Sequence, residues 1–241
     1  MIIFHEPQTG PSEQCSYLPD QKMCTEFFFA GDLDKYELES VLCQGWRKFG
    51  CYFFRPVCEN CRSCIPLRIP VDSFYLSKSQ RRILQKNRDV TIEFVADAPL
   101  TDEMYRIYEE HSRIRFNRQV NKNDFLQSFA LRSCPSLLSR YYLDNKLSAV
   151  GFLDCSSEGL SSVYFIYTEA FVCRSPGNFS ILKEIEYAKT LGLKYYYLGY
   201  FVQNNNHMAY KGRFFPHERM CWENGVWERI ENCCGDTSDI H

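Results

Sequence analysis

The sequence predicts an α+β fold, on three observations. A helical period begins at Thr101, with Met104, Tyr105, Tyr108 and His111 spaced three and four residues apart. From residue 139 the pattern changes to strands separated by tight turns. A strand–loop–helix–strand succession then runs from 160 to 200. A chain of 241 residues, 45% hydrophobic and 16% aromatic, buries enough apolar surface to offset its ordering entropy, which excludes low-complexity disorder.

In chain order, residues 1–31 read as irregular or strand-like, with the aromatic run Phe27-Phe28-Phe29. Asp32 caps an expected helix through Cys43, whose apolar face holds Leu33, Tyr36, Val41 and Leu42, with Gly45 just past its end. Residues 51–55 and 66–74 read as extended, separated by a cysteine-rich turn. Thr101 opens the strongest helix and a shorter one covers 123–132. The stretch 140–153 forms a strand, a turn at Asp144-Asn145-Lys146 and a second strand. Another turn at 156–159 leads to a strand over 160–167. A loop at Arg174-Ser-Pro-Gly-Asn178 precedes a helix over 179–191, which Gly192 closes before a strand at 194–200. Near the end, Cys221–Trp227 reads as a hairpin across Asn224-Gly225.

The net charge of −2 hides a segregated distribution. Residues 46–88 carry ten basic side chains (Arg47, Lys48, Arg55, Arg62, Arg68, Lys78, Arg81, Arg82, Lys86, Arg88) against Glu59 and Asp72, a net +8 that leaves −10 elsewhere. Such a local field attracts polyanions. Its densest part, from Lys78 to Arg88, spreads cations over several faces if helical, which suits phosphate contact better than base reading. No apolar run approaches the roughly 18 residues of a membrane span. The first residues lack a basic region followed by an apolar one, so the expected location is the cytoplasm.

Thirteen cysteines cannot all pair within one chain. In a reducing compartment they serve as buried thiols, metal ligands or redox groups. Cys58-x2-Cys61-x2-Cys64 is the sharpest spacing, since three thiolates within seven residues can converge on one ion or cluster. A fourth ligand must come from elsewhere, with Cys15 the first choice and Cys51 the second. Zinc and an iron–sulfur cluster both fit this spacing. The alternative is a metal-free cysteine-rich turn. Cysteines 24, 43, 134, 155, 173 and 221 sit mostly among apolar residues as core thiols, and Cys233-Cys234 lies in a polar tail.

Several blocks together resemble one family, the aminoacyl-tRNA–protein transferases, in their bacterial aspartate/glutamate leucyltransferase branch related to arginyltransferases. They are Cys15-Ser-Tyr-Leu-Pro19, Gly45-Trp-Arg-Lys-Phe-Gly50, Phe54-Arg-Pro-Val-Cys58 through Cys64-Ile-Pro-Leu-Arg68, and Ser77-Lys-Ser-Gln-Arg-Arg82. Further on stand Gly177-Asn-Phe-Ser-Ile-Leu182 with Glu184 and Glu186, Tyr197-Leu-Gly-Tyr200, and Met208-Ala-Tyr-Lys211 through Phe215-Pro-His-Glu218. Where family members commonly carry a histidine after an arginine, this chain has Phe116 after Arg115.

The resemblance implies a GNAT-like acyltransferase domain over 99–230, after a smaller cysteine-containing basic α+β domain over 1–98, with 231–241 as a polar tail. It implies transfer of an amino acid, leucyl or alternatively arginyl, from aminoacyl-tRNA to the α-amine of proteins beginning with Asp or Glu, which marks them for degradation by the N-end rule. It matches the family's cysteine cluster at Cys15, Cys58, Cys61 and Cys64. The chemistry is ester aminolysis, which needs positioning and one proton acceptor but no cofactor. Glu184 and Tyr200 are the expected proton-handling residues. The acceptor's acidic side chain calls for Arg68, Lys211 or Arg213. Gly177, Asn178 and Tyr197 are expected to bind substrate, with backbone amides over 177–179 holding a carbonyl oxygen or the tRNA 3′ end. Lys78, Arg81, Arg82, Lys86 and Arg88 are expected to bind tRNA. No membrane partner is expected. Two rivals are an acetyl-CoA-dependent GNAT enzyme, which wants a glycine-richer loop than 174–178, and a metal-stabilised RNA-binding protein, which leaves the C-terminal block unexplained.

Overall fold

The computed structural model describes residues 1–232, so Cys233 and Cys234 lie outside the described residues. The N-terminal part builds a small antiparallel sheet from β1 (Ile2–Thr9), β4 (Thr25–Gly31), β5 (Arg47–Phe49) and β6 (Tyr52–Pro56), in the order β1-β4-β6-β5. The two-residue strands β2 (Glu13–Gln14) and β3 (Lys22–Met23) pair separately. Helix α1 (Lys35–Cys43) packs Leu38, Val41 and Leu42 against Phe28, Trp46 and Phe53. Its cap is Asp34 and not Asp32. The Asp34 carboxylate accepts the Tyr36 and Glu37 amides at 2.8 and 2.9 Å, and the Glu37 carboxylate takes the Asp34 amide. Asp32 itself stands in left-handed backbone at φ 54°.

The second sheet has eight strands. It comprises β7 (Ile65–Pro70), β8 (Thr91–Ala96), β9 (Ser136–Leu143), β10 (Lys146–Cys155), β11 (Gly159–Tyr167), β12 (Tyr195–Phe201), β13 (His217–Met220) and β14 (Trp227–Ile230), in the order β14-β13-β7-β12-β11-β10-β9-β8. The expected division at 98/99 falls within this sheet, because β7 and β8 precede it in the chain. Strand β8 was not among the expected elements. The hairpin near the end lies further out than expected, with Cys221–Val226 as its turn, closed by the Cys221 amide on the Val226 carbonyl at 2.9 Å.

Helix α2 (Lys78–Lys86) forms where the charge density peaks. Ser77 caps it by accepting the Gln80 amide, Gln80 returns the bond, and Lys86 complements the negative end of the helix dipole. Helix α3 (Asp102–Phe116) starts at Thr101 as expected, and α4 (Lys122–Phe129) follows. Helix α5 (Pro176–Thr190) begins three residues earlier than expected, because Pro176 at the first helical position has its φ preset for a helix. It buries Ile181, Leu182 and Ile185 against Leu67, Ile69 and Leu198 of the sheet. The fold class is α+β, with β9–β12 and α5 forming the antiparallel-to-helix-to-strand unit expected from the sequence.

Candidate functional site

Among the described residues only one neighbouring pair in the large sheet is parallel, and it comes apart. Strands β11 and β12 stay in register over Gly159–Tyr195, Leu160–Tyr196 and Ser161–Tyr197, and then diverge. Divergence leaves main-chain carbonyls without a ladder partner, which is costly unless another donor reaches them. Two cations do. Arg47, from β5 of the other sheet, donates to the Ser161 hydroxyl at 2.9 Å and to the Ser162 carbonyl on the β11 edge. Lys211 donates to the Tyr200 carbonyl on β12 at 3.0 Å.

Gly199 lies between these cations at φ 84°, where a Cβ would stand 3.5 Å from both Arg47 Nε and Lys211 Nζ. Among the described residues neither cation enters an ion pair. Burial and the neighbouring guanidinium push Lys211 down to about 7, and burial lowers Arg47 as well. Two cations at close quarters with no carboxylate partner form a site that favours an anion.

The cysteine loop borders this site. The Cys64 thiol is pushed up to about 12 by burial and by Cys15, Cys58 and Cys61, while Lys211 acts in the opposite sense. Tyr17 lies in the field of Cys64, Cys15 and Arg47, and its carbonyl accepts the Asn205 amide at 2.9 Å. The four expected ligand cysteines share one neighbourhood, since Cys15, Cys58 and Cys61 all act on Cys64. Among the described residues no three of His, Cys, Asp or Glu are arranged to hold a metal ion. The thiols hydrogen-bond locally: Cys58 with the Cys24 backbone, Cys61 with Ser63 at 3.4 Å, and Cys15 with the Tyr17 amide at 3.4 Å. Cys51, the second choice for a fourth ligand, is a free, partly buried thiol.

Glu184 and Tyr200 do not meet. Side chains alternate along β12, so Tyr196 faces α5 while Tyr197 faces α1. Glu184, 1% exposed, accepts the hydroxyls of Tyr196 at 2.5 Å, Ser139 at 2.9 Å and Tyr141 at 3.3 Å. Burial pushes it up to about 7 against those three donors. Gly151 makes room for it, since a Cβ there would lie 2.6 Å from Glu184 Oε1. The Tyr200 hydroxyl instead donates to the Gly45 carbonyl at 2.8 Å on the α1 side, and burial raises its pKa further.

Arg68 and Tyr197 are also drawn away from the divergence. Arg68 Nε donates to Glu218 at 2.7 Å and Nη1 to the Tyr197 hydroxyl at 3.2 Å, while the guanidinium stacks on Tyr195 and Trp227 at 3.7 and 4.3 Å. Tyr197 donates in turn to the buried Glu39 at 2.5 Å. These residues tie α1 and β14 to the sheet, and they are not free to bind an acceptor. Arg213 is exposed.

Gly177 and Asn178 stand in the first turn of α5, where no side chain caps the helix and Ser175 is left-handed at φ 56°. Their amides are among those a helix N-terminus leaves unpaired. Tyr210 was not anticipated. Its hydroxyl lies 3.8 Å from where a Gly177 Cβ would be, and it is pushed up to about 12 mainly by burial, with Glu184 adding to the shift. Arg47 lies in the Gly45–Gly50 block and in the basic window, where its chain neighbours do not mark it out from the other cations.

The basic window resolves into separate roles. Lys48 pairs with Asp154 at 3.1 Å, Arg55 with Glu26 at 2.7 Å, and Arg68 with Glu218. Arg62 is bonded to the Cys58 and Cys61 carbonyls. Lys78, Arg81, Arg82, Lys86 and Arg88 are all exposed on or just after α2, and none enters an ion pair among the described residues. Lys86 alone is tethered, to the Cys173 carbonyl at 2.5 Å.

The site is thus a buried cation pair at the diverging end of the parallel strand pair, bordered by the N-terminus of α5 and the cysteine loop. Comparison with known proteins is specific. The family model described as "Arginine-tRNA-protein transferase, N terminus" matches residues 13–82, and its C-terminal counterpart matches 102–221. A protein of Campylobacter jejuni named aspartate/glutamate leucyltransferase is 33% identical over 228 residues, covering 91% of this chain and 93% of its own. One from Stutzerimonas stutzeri with the same name is 36% identical over 211 residues, covering 85% and 88%. The crystal structure of FemX aligns at a TM-score of 0.46 with 8% identity, covering 82% of this chain and 79% of its own. The chain therefore belongs to the aminoacyl-tRNA–protein transferase family and is an aminoacyltransferase. No helix among the described residues is long and apolar enough to cross a membrane.

Proposed function

We propose that the protein transfers leucine from leucyl-tRNA to the α-amine of proteins that begin with Asp or Glu. The observation that carries the reading is the cation pair Arg47 and Lys211 at the divergence of β11 and β12, without a carboxylate partner among the described residues. An acidic first side chain supplies the missing charge. The similar proteins of Campylobacter jejuni and Stutzerimonas stutzeri are named aspartate/glutamate leucyltransferases, which supports leucine as the group transferred and Asp or Glu as the acceptor.

The α-amine attacks the ester carbonyl of the aminoacyl-tRNA. A C–N bond forms, the C–O bond to the tRNA ribose breaks, and the proton lost by the amine ends on the departing ribose oxygen as a hydroxyl. An α-amine has an ordinary pKa near 8, so much of the catalytic demand is on position. Arg47 holds the acceptor carboxylate, and Lys211 gains its full charge as the carboxylate arrives. The unpaired amides at Gly177 and Asn178 support a role in holding the donor carbonyl oxygen as charge develops. Glu184 is a positioning residue that fixes Tyr196 of β12 and Tyr141 of β9 in the core between the sheet and α5. The exposed cations of α2 support binding of the tRNA backbone, and the reaction belongs in the cytoplasm, where charged tRNA is made.

The family description names arginine, and this supports a second reading with arginyl-tRNA as donor to the same acceptors. Purified protein incubated with radiolabelled leucyl-tRNA or arginyl-tRNA and peptides beginning with Asp, Glu or Ala tests both. The expected result is leucine on the Asp and Glu peptides and none on Ala. Label on no peptide overturns the transferase reading.

A further inference from the structure

The C-terminal end of α3 is a second basic surface, outside the 46–88 window. Residues 111–121 carry Arg113, Arg115 and Arg118 and no Asp or Glu. Arg113 lies 3.9 Å from Glu169, whereas Arg115 and Arg118 are exposed and enter no ion pair among the described residues. Phe116, which stands between them in the chain, is 59% exposed. Asn117 ends the helix in left-handed backbone at φ 49°, and the Arg118 amide returns to the Ser112 carbonyl at 3.2 Å. Both Arg115 and Arg118 act on the Tyr164 hydroxyl of β11, so this turn leaves the two cations on one side of the helix end.

This surface adjoins the strand divergence. Arg115 Nη2 stands 3.5 Å from His207 Nδ1, in a segment over 202–208 that also has no Asp or Glu. Asn205 of that segment reaches the Tyr17 carbonyl beside the cysteine loop. Arg115 acts in addition on the hydroxyls of Tyr167 and Tyr210. The Tyr210 hydroxyl in turn lies 3.8 Å from where a Gly177 Cβ would be, so Tyr210 links the first turn of α5 to Arg115. The aminoacyl ester is carried on the ribose of the last tRNA nucleotide. With the donor carbonyl held at Gly177 and Asn178, the base and phosphate of that nucleotide fall within one nucleotide's reach of Gly177.

We infer that the end of α3 binds the single-stranded 3′ end of the donor tRNA, with backbone phosphates at Arg115 and Arg118 and a base against Phe116. Free cations on either side of an exposed aromatic ring match the alternation of phosphate and base along a single strand. An acidic protein surface would use the two cations and leave the ring without a partner. The inference rests on the proposed aminoacyl-tRNA donor. It divides the tRNA between two surfaces, the cations of α2 for the double-stranded backbone and the end of α3 for the unpaired 3′ nucleotides.

The test uses the full chain, a deacylated leucine-accepting tRNA, and the same tRNA shortened by its single-stranded 3′ nucleotides. In filter binding the wild type is expected to hold the intact form about 10-fold more tightly than the shortened one. Phe116→Ala is expected to remove most of that preference and to leave affinity for the shortened tRNA unchanged, which also shows that the variant is folded. Arg115→Met combined with Arg118→Met is expected to remove it too, and to lower the slope of log affinity against log salt by about 1.4 for the intact tRNA alone. No preference for the intact form in the wild type, or variants that keep the wild-type preference, overturns the inference. A rise in KM for the acceptor peptide with tRNA binding unchanged overturns it as well, and makes the patch a surface for the acceptor. Failure of leucine transfer while Phe116→Ala still removes the preference refutes the proposed reaction and not this surface.

Discussion

Glu184→Gln isolates the most consequential buried group. The Glu184 carboxyl titrates at about 7 in the folded protein against an ordinary 4.5, because burial outweighs its three hydroxyl donors. At 1% exposure no solvent discount applies. The folded state therefore keeps a proton that the unfolded chain has already released between pH 4.5 and 7. Stability from this site is fully present below pH 4.5 and is lost as pH rises through 7. Integrated from pH 5 to pH 7, the loss is about 2 kcal/mol. Glutamine keeps the shape without the titration. Lys211, also near 7, titrates in both proteins and cancels in the comparison. Urea unfolding at pH 5, 6 and 7 reads the effect as a shift in midpoint. The variant gains on the wild type by about 2 kcal/mol from pH 5 to pH 7. Parallel pH profiles for the two proteins would refute the account of Glu184.

The other expectations concern packing, ion pairing and charge. Gly151→Ala places a methyl 2.3 Å from Ser139 Oγ and 2.6 Å from Glu184 Oε1, so thermal unfolding should show a loss of about 1–3 kcal/mol. Arg68→Met strands the Glu218 carboxylate, whose side chain is 15% exposed, and should cost about 3 kcal/mol in chemical denaturation, with the residual folded enzyme keeping its preference for acidic acceptors. Reversing Lys78, Arg81 and Arg82 to Glu should lower tRNA affinity and reduce the slope of log affinity against log salt by about 2–3, measured by filter binding.

The helices and the central strands are legible because their signals are local. Thr101 and Asp144-Asn145-Lys146 act on residues within a few positions and the structure follows both, while Asn224-Gly225 turns the chain inside a longer Cys221–Val226 loop. The cap of α1 moved by two residues because Asp32 and Asp34 are chemically alike, and only Asp34 has a Glu three residues on to complete the box. Strand β8 has a readable polar–apolar alternation at Thr91-Ile-Glu-Phe-Val95, short and next to the stronger helix signal at Thr101. The site was less legible, because it is made by long-range encounters. Arg47 meets Ser161 from 114 residues away, and nothing near Arg47 distinguishes it from Lys48, which is neutralised by Asp154. The spacing of Cys58, Cys61 and Cys64 brings the thiols into one neighbourhood without deciding where they point. Arg68 had every attribute of a substrate anchor except freedom, and its Glu218 partner lies 150 residues further on.

The central claim is that Arg47 and Lys211 read the acidic first residue of the acceptor. It is tested most directly by comparing kcat/KM for leucine transfer to peptides that begin with Asp and with Asn, in the wild type and in Lys211→Met. Charge-assisted hydrogen bonds of this kind correspond to about a 10- to 100-fold preference, so the wild type favours Asp by that factor and the variant loses most of it through KM. Equal use of the Asp and Asn peptides by the wild type, or an undiminished preference in the variant, would contradict the account.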